Sequence, residues 1–472
     1  MDLREFIDKC EAAGQLSRIK KEVDWNLELS HISKINEENN GAALLFENVK
    51  DYKNSVLTGA YSTKETLAIA LGMPIGTSMC EMSRQWMQLA IKKLIPPVEV
   101  KGGPILENIL EGDQINLFDF PVPQMYPQDG GRFIGTAYTL ITRDPESGWV
   151  NLGTYRMQIL DNKSTGIQII KGKHADFMMK KYHKMGKKMP ALAVIGGDPL
   201  GFLTGSTLVS AETSEYDVMG ALRGEPVEII ISEKNGLPFM ANAEIVLEGE
   251  VETDPEKWRQ EGPFGEYTGY YSGKKSEEWP KPWLDVQRVY HRNDYILWST
   301  TVGKPVTDTH MIQSLNRTAT LWTDLETMRV PGIQSVYIPA ESTGRFWAIV
   351  SVKQMYPGHP NHVADAVYGS TTGHYGMKGV IVVDDDIPAD DWNKVMWAMS
   401  VRYDPKRDTQ IINRGRSTPL DPALPFNARE IVSRIIIDAC TPYEWERKPQ
   451  EIFLDEDTEK KVRKNWDSYG IK

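Results

Sequence analysis

Apolar residues at helical spacing open the chain. Leu3, Phe6, Ile7 and Cys10 recur every three to four positions, the mark of a helix with one buried face. Two short apolar runs follow, ALLFENV and SVLTGAY, and read as buried strands. Ser62 with Glu65 three residues later predicts a capping box for a helix running to Leu71. The stretch LIPPVEVKGGP, Leu94 to Pro104, is a Pro/Gly-rich linker. Residues 1–110 therefore read as a small α/β unit.

From residue 111 to 305 the pattern turns to strands. YTLITRDP, WVNLGTYRMQIL and GIQIIK are separated by the turn clusters DPESG and DNKSTG, which predicts an antiparallel meander. AEIVLEGEVE and LDVQRVYHRN add further strands, and a basic helix from His174 to Lys188 interrupts them. A helix from Thr309 to Met328, within a linker spanning residues 306–328, joins this region to a third. In the third, residues 329–472, strand-like and helix-like segments alternate: QSVYIP, FWAIVSVK, HPNHVADAVYG, GVIVVDDDI, DDWNKVMWAMSV. That order predicts an α/β domain with some parallel pairing. The last 30 residues are charged and rich in Trp and Tyr, as a surface tail or an arm packing on a partner subunit would be. The fold class is mixed α/β (α+β).

A length of 472 residues calls for two or three domains. The net charge is −11 with Lys and Arg dispersed, which argues against a nucleic-acid partner. Cys10, Cys80 and Cys440 are odd in number and far apart, so neither a disulfide framework nor a metal spacing follows, and a reducing compartment fits. The charged start MDLREFIDKCEAAGQ lacks the apolar run of a signal peptide, and no stretch approaches the roughly 18–20 apolar residues of a membrane helix. The expectation is a cytoplasmic protein with no membrane or nucleic-acid contact.

Four segments carry reactive side chains. In EGPFGEYTGYYSG, residues 261–273, Glu261 and Glu266 flank Gly-Pro-Phe-Gly, a stiff loop able to hold two acids beside a ligand. In WVNLGTYRMQIL, Asn151 is a neutral ligand and Arg156 a permanent cation suited to carboxylates. Five residues apart on a regular strand they face opposite sides, so one small site accommodates both only if the strand twists or bulges, for instance at Gly153. In IQIIKGKHAD, His174 follows Lys171 and Lys173 where a strand passes into a helix, a place suited to phosphate. In SEYDVMGALRGEP, Glu215 opens a short helix with Ser214 as N-cap. Taken singly, these also read as a polar loop, a half-exposed strand, a solvated histidine and an acid complementing a helix dipole. No P-loop, helix-opening GxGxxG, HExxH or GxSxG occurs.

Together and in this order, NLGTYR (Asn151 to Arg156), His174, Glu215 and the EGPFGE pair resemble the UbiD-like decarboxylases, nearest to the hydroxyarylic acid decarboxylases. AEIVLEGE, VIVVDDDI and DWNKVMWAMSVRYDP are similar to that family too, and the likeness runs from the first helix to about residue 445. The resemblance implies prenylated FMN as cofactor and reversible removal of carboxylate from an aromatic, heteroaromatic or α,β-unsaturated acid, with CO2 as the other product. It implies that Asn151, His174 and Glu215 hold Mn2+ (or Mg2+) against the flavin phosphate, with K+ near Thr204 to Thr207 and Glu215. Leu152, Gly153, Thr154, Tyr155, Arg156, Lys173 and Lys378 join them as cofactor-binding residues, Lys378 on domain closure. Arg156, Glu261 and Glu266 match the catalytic network, in which Arg156 orients the carboxylate and pairs with Glu261, and Glu266 is the general acid. The implied fold is a split-barrel flavin domain over 111–305 and a C-terminal α/β domain, with a hinged cleft between. A separate flavin prenyltransferase and a homo-oligomer, dimer or hexamer, are implied as partners. Two alternatives stay open: a carboxylase subunit of a multi-protein complex, and a non-catalytic flavin-binding assembly subunit, against which the joint presence of Arg156, Glu261 and Glu266 argues. The substrate is not written in the sequence; pocket residues are sought at Lys304 to Met311 and Asp421 to Asn427, where Thr307, His310 and, on the linker helix, Trp322 read equally as structural.

Overall fold

The computed structural model describes residues 1–207, 209–272, 280–452 and 454–470. Gly273, the last residue of the acidic segment, lies outside the described residues.

The first helix, Leu3–Ala12, buries Leu3, Phe6, Ile7 and Cys10, and Asp2 and Glu5 form a reciprocal capping box at its start. It lies on a four-stranded sheet ordered Leu16–Ile19, Ala43–Phe46, Ser55–Thr58, Ile296–Trp298. The last of these strands comes from far along the chain and pairs in parallel with Ser55–Thr58. The helix predicted after Ser62 is present as Lys64–Leu71, but its cap is Thr63, whose hydroxyl accepts the Thr66 N–H. Ser62 instead donates to the Gly59 carbonyl. The extended backbone that an N-cap needs falls at Thr63, one residue later than the pattern suggested.

The middle region is built on a nine-stranded sheet, with a separate three-stranded sheet of Pro238–Met240, Glu228–Ile231 and Val98–Glu99. The spatial order of the larger sheet is Phe133–Gly135, Met157–Asp161, Ser164–Ile167, Trp283–His291, Ile245–Val251, Met189–Ile195, Tyr138–Arg143, Val150–Gly153, with Asn108–Glu111 also beside Trp283–His291. Every pairing within it is antiparallel. Val150–Gly153 lies at one end of that order and Met157–Asp161 next to the other, yet only Thr154, Tyr155 and Arg156 connect them. So short a link reaches roughly 14 Å at most, so the sheet must curl until its ends nearly meet. The result is a half-barrel buried on both faces, with Leu140 and Leu247 on one and Ile141, Leu192 and Val194 on the other.

The third region is a five-stranded sheet ordered Ile333–Tyr337, Trp347–Val352, Gly379–Asp384, Ile431–Ala439, Thr409–Arg416. Its three central strands are parallel and both edge strands antiparallel. The long helix Asp308–Thr327 joins the two bodies, burying Met311, Ile312 and Leu315 in the first core and Trp322 and Leu325 in the second. Among the described residues no helix is long and apolar enough to cross a membrane.

Candidate active site

Arg156 stands where the curled sheet nearly closes, immediately before the strand Met157–Asp161. Its Nε and Nη2 donate to the two oxygens of Glu261 at 2.9 Å each, and its Nη1 donates to Glu266 at 2.5 Å. One planar guanidinium thus holds both acids of the EGPFGE loop, as its fork of five donors permits. Glu261 is fully buried, and a carboxylate so placed is stable as an anion only with such a partner. Glu266 keeps some exposure, 14% of its side chain, where Glu261 keeps none. The Phe264 ring lies under the guanidinium, 5.0 Å from its carbon.

Residues distant in sequence lock the acid loop in place. Gly130 N–H donates to the Pro263 carbonyl at 2.7 Å, and Gly262 N–H to Gln158 Oε1 at 2.6 Å. Asp129 accepts the Gly265 and Tyr126 N–H groups at 2.9 and 3.1 Å. Burial pushes the Asp129 carboxyl up to about 6, against the pull of those N–H groups and of Arg156. His310, at the start of the long helix, is also buried; its Nε2–H donates to the Tyr267 carbonyl at 2.6 Å while Nδ1 accepts the Thr307 N–H at 3.0 Å. Burial holds this imidazole neutral, with its pKa lowered to about 4. His310 is therefore a clamp on the loop after Glu266, and Trp322 belongs to the core of the third region. The sequence reading missed Asp129 and Gln158. The signal for Gln158 was its position two residues after Arg156, on the same strand face.

A second cluster lies on the strand before the gap. Asn151 is buried, and its Oδ1 accepts a hydrogen bond from His174 Nδ1–H at 2.8 Å. His174 is the first residue of the helix His174–Lys184, with the Trp149 ring edge-on at 4.8 Å. Glu215 opens the helix Glu215–Arg223 behind the Ser214 cap, and its Oε2 accepts the Leu152 N–H at 2.7 Å. Burial pushes Glu215 up to about 8, and burial, then the Lys173 charge, holds His174 below the usual imidazole value. The Asn151 Nδ2 is buried with no hydrogen-bond partner. A buried acid short of positive charge beside an amide oxygen and a neutral imidazole is the donor set of a hard-to-borderline divalent cation. Among the described residues no three His, Cys, Asp or Glu side chains gather as a metal cluster, so a cation here would need the Asn151 amide as a ligand.

The strand-parity difficulty resolves at the gap. Asn151 lies on the strand Val150–Gly153, whereas Arg156 lies beyond the break at Thr154 and Tyr155 and approaches the next strand, so alternation does not carry across. Thr154 bonds Ser206 at 3.2 Å, Tyr155 is buried, and Lys173 stays open to solvent. In the Thr204 to Thr207 segment, Thr204 donates to the Leu200 carbonyl and Thr207 to Asn316 Oδ1. Lys378 joins neither cluster: it donates to the buried Asp421 at 2.6 Å and lies over the Phe346 ring in the third region.

The three parts of the chain match three consecutive family models of 3-octaprenyl-4-hydroxybenzoate carboxy-lyase: the N-terminal domain over residues 7–86, the Rift-related domain over 97–305 and the C-terminal domain over 310–439. Vanillic acid decarboxylase of Sedimentibacter hydroxybenzoicus in its open form is 31% identical over 99% of each chain, with a TM-score of 0.88. Its closed form gives 32% identity over 98% of each chain and a TM-score of 0.82. The UbiD-class enzyme HmfF from Pelotomaculum thermopropionicum, solved with FMN, is 28% identical over 98% of each chain, with a TM-score of 0.88. An evolved dimeric form of HmfF, solved with prFMN, aligns over 96% of this chain and 99% of its own at 28% identity and a TM-score of 0.82. Matched by these family models and relatives over nearly its whole length, the chain belongs to the UbiD family of carboxy-lyases.

Proposed function

We propose that this protein is a reversible, non-oxidative decarboxylase of an aromatic, heteroaromatic or α,β-unsaturated carboxylic acid, working with prenylated FMN. The observation that carries this reading is the single guanidinium of Arg156 shared by Glu261 and Glu266. A binding protein has no need of a buried acid that fixes an arginine and a second acid left partly open.

Prenylated FMN, the ligand of one HmfF structure, supplies when bound the electron sink that side chains lack when CO2 leaves an sp² carbon. Asn151, His174 and Glu215 would hold Mn2+ or Mg2+ at the flavin phosphate, with K+ near Thr204 to Thr207, and the backbone from Leu152 to Tyr155 would border the cofactor. Glu261 keeps Arg156 in plane. Arg156 orients the substrate carboxylate, the C–CO2 bond breaks, and Glu266 delivers its proton to the carbon left behind; carboxylation reverses each step. The better match to the open than to the closed form of vanillic acid decarboxylase supports a cleft that closes, carrying Lys378 toward the cofactor. Exposed Trp445, Ile452, Leu454 and Trp466 in the C-terminal segment support a homo-oligomer. A separate flavin prenyltransferase would supply the cofactor.

The test is purified protein reconstituted with prenylated FMN and Mn2+, given a panel of aromatic, heteroaromatic and acrylic acids, with CO2 release and solvent H/D exchange as readouts. CO2 release is expected for at least one acid class, with solvent deuterium appearing at the carbon that bore the carboxylate. A fully loaded enzyme inert toward the whole panel would overturn the reading.

A further inference from the structure

The arginine that joins the two glutamates also works against one of them. Arg156 Nη1 donates to Glu266 at 2.5 Å, and an acid held this close to a guanidinium gives up its proton readily. The role assigned to Glu266 needs the opposite, a carboxyl that still carries its proton when the substrate arrives. Glu261 removes part of the pull, because both of its oxygens occupy Nε and Nη2 of the same guanidinium and its side chain is fully buried. A further offset comes from the turn at residues 126–130.

Asp129 lies against the peptide that leads into Glu266. Its Oδ1 accepts the Gly265 N–H at 2.9 Å and its Oδ2 the Tyr126 N–H at 3.1 Å. Among the described residues no Lys, Arg or His forms an ion pair with it. The two loops are pressed together at glycines. A Cβ at Gly265 would lie 2.6 Å from the Tyr126 ring, and Gly130 packs so tightly on the Gly262 carbonyl that a Cβ there has no room. The Asp129 carboxylate is therefore fixed in place. Arg156 and Glu266 act on it from the acid-loop side, and Tyr126, on its own turn, is held neutral by burial. Burial lifts the Asp129 carboxyl only to about 6, so it is an anion at neutral pH. Charges act strongly on one another where water is excluded, so this fixed anion opposes a second negative charge on Glu266.

We propose that Asp129 is a positioning residue for the catalytic proton: its fixed negative charge, set against the peptide before Glu266, keeps Glu266 protonated at neutral pH and so ready to act as the general acid. Asp129 passes no proton to the substrate; it acts through Glu266. Its two N–H bonds hold the charge in place, and the charge sets the proton affinity of its neighbour. The idea rests on the decarboxylase reading above and adds how the acid of that reaction stays loaded.

Two variants of the full-length, flavin-loaded protein separate the charge from the hydrogen bonds. Asp129→Asn keeps the shape and loses the charge; Asp129→Glu keeps the charge and alters the shape. Decarboxylation needs protonated Glu266, so its rate falls as pH rises through the Glu266 pKa. That alkaline limb is expected about one pH unit lower in Asp129→Asn and back near its wild-type position in Asp129→Glu. A role confined to the loop bonds would lower kcat in both variants and leave the limb where it was, which overturns the proposal. Infrared difference titration reads the same proton without turnover. The carbonyl stretch of a protonated carboxyl, assigned by its disappearance in Glu266→Gln, is expected at neutral pH in the wild-type protein. Its midpoint should fall by about one unit in Asp129→Asn. Absence of that band from the wild-type protein at neutral pH overturns the proposal whether or not the variants fold. A loaded enzyme inert toward every acid removes the decarboxylase reading, while the infrared midpoint still decides whether Asp129 governs the Glu266 proton.

Discussion

Arg156 and Glu261 meet side-on, Nε and Nη2 against both carboxylate oxygens at 2.9 Å. This geometry uses one edge of the guanidinium for a buried anchor and leaves Nη1 for Glu266. The two glutamates are therefore unequal. One is fully buried and fixed; the other is partly open and can exchange a proton. Chemistry that needs one oriented cation and one mobile proton is served by that inequality, and the first prediction follows from it. Glu266→Gln keeps the size and one hydrogen-bond acceptor but cannot deliver a proton. Turnover should fall by roughly 10²–10⁴-fold, the usual worth of a positioned acid. Flavin absorbance of the purified variant should match the wild type. Wild-type rates in Glu266→Gln would move the acid role to another residue.

The second cluster predicts a different phenotype. His174→Ala and Glu215→Ala each remove one ligand of the proposed cation and leave Arg156 and its acids in place. Both variants should lose bound metal by elemental analysis and flavin by absorbance, with a drop of about 10-fold or more in metal affinity. Unchanged metal and flavin in both would mean that the buried Glu215 serves only its helix and the Leu152 N–H.

The buried His310 predicts how stability depends on pH. Its folded pKa lies near 4 because burial disfavours the charged ring, whereas an unfolded histidine titrates near its ordinary 6.5. Above that ordinary value both states are neutral and the clamp on Tyr267 is intact. As pH falls from 6.5 toward 4 the unfolded chain binds a proton that the folded chain refuses, so stability falls by at most about 1.4 kcal/mol per pH unit. Urea midpoints at pH 7 and pH 5 should differ in the wild type. In His310→Gln the protein should be weaker at pH 7 but less sensitive between the two, and an unaltered pH difference would show that other groups dominate.

How much of this was legible in the sequence depended on how local each feature was. The helix of Leu3, Phe6, Ile7 and Cys10, the antiparallel middle region and the parallel strands of the third region follow from short-range pattern, and all three are present. The site segments were legible because their residue types are unusual together. Their meeting was not. Alternation predicted that Asn151 and Arg156 face apart, and only the curl of the sheet, a property of nine strands at once, removes the conflict. Asp129 and Gln158 escaped because they act through backbone N–H groups of a loop more than 100 residues away.

The last prediction uses a close contact against Glu261. Gly166, in the strand Ser164–Ile167, faces Glu261 so closely that a Cβ there would lie 2.7 Å from the Glu261 Cγ and 2.9 Å from its Cβ. Those atoms have nowhere to go, because Glu261 is held by two bonds from Arg156 and its loop by Gln158 and Gly130. Gly166→Ala must therefore displace the glutamate, and Arg156 with it, without changing any charged group. Overpacking of this kind costs about 1–3 kcal/mol of stability. A misplacement of about 1 Å in a catalytic pair costs on the order of 10²-fold in rate. The expected result is a folded variant with near wild-type flavin and metal content but a kcat lowered by about that factor, while Gly166→Ser does no better. Full activity in Gly166→Ala would mean that Glu261 is free to retreat, and that the rigidity of the Arg156–Glu261 pair is not what orients the substrate carboxylate.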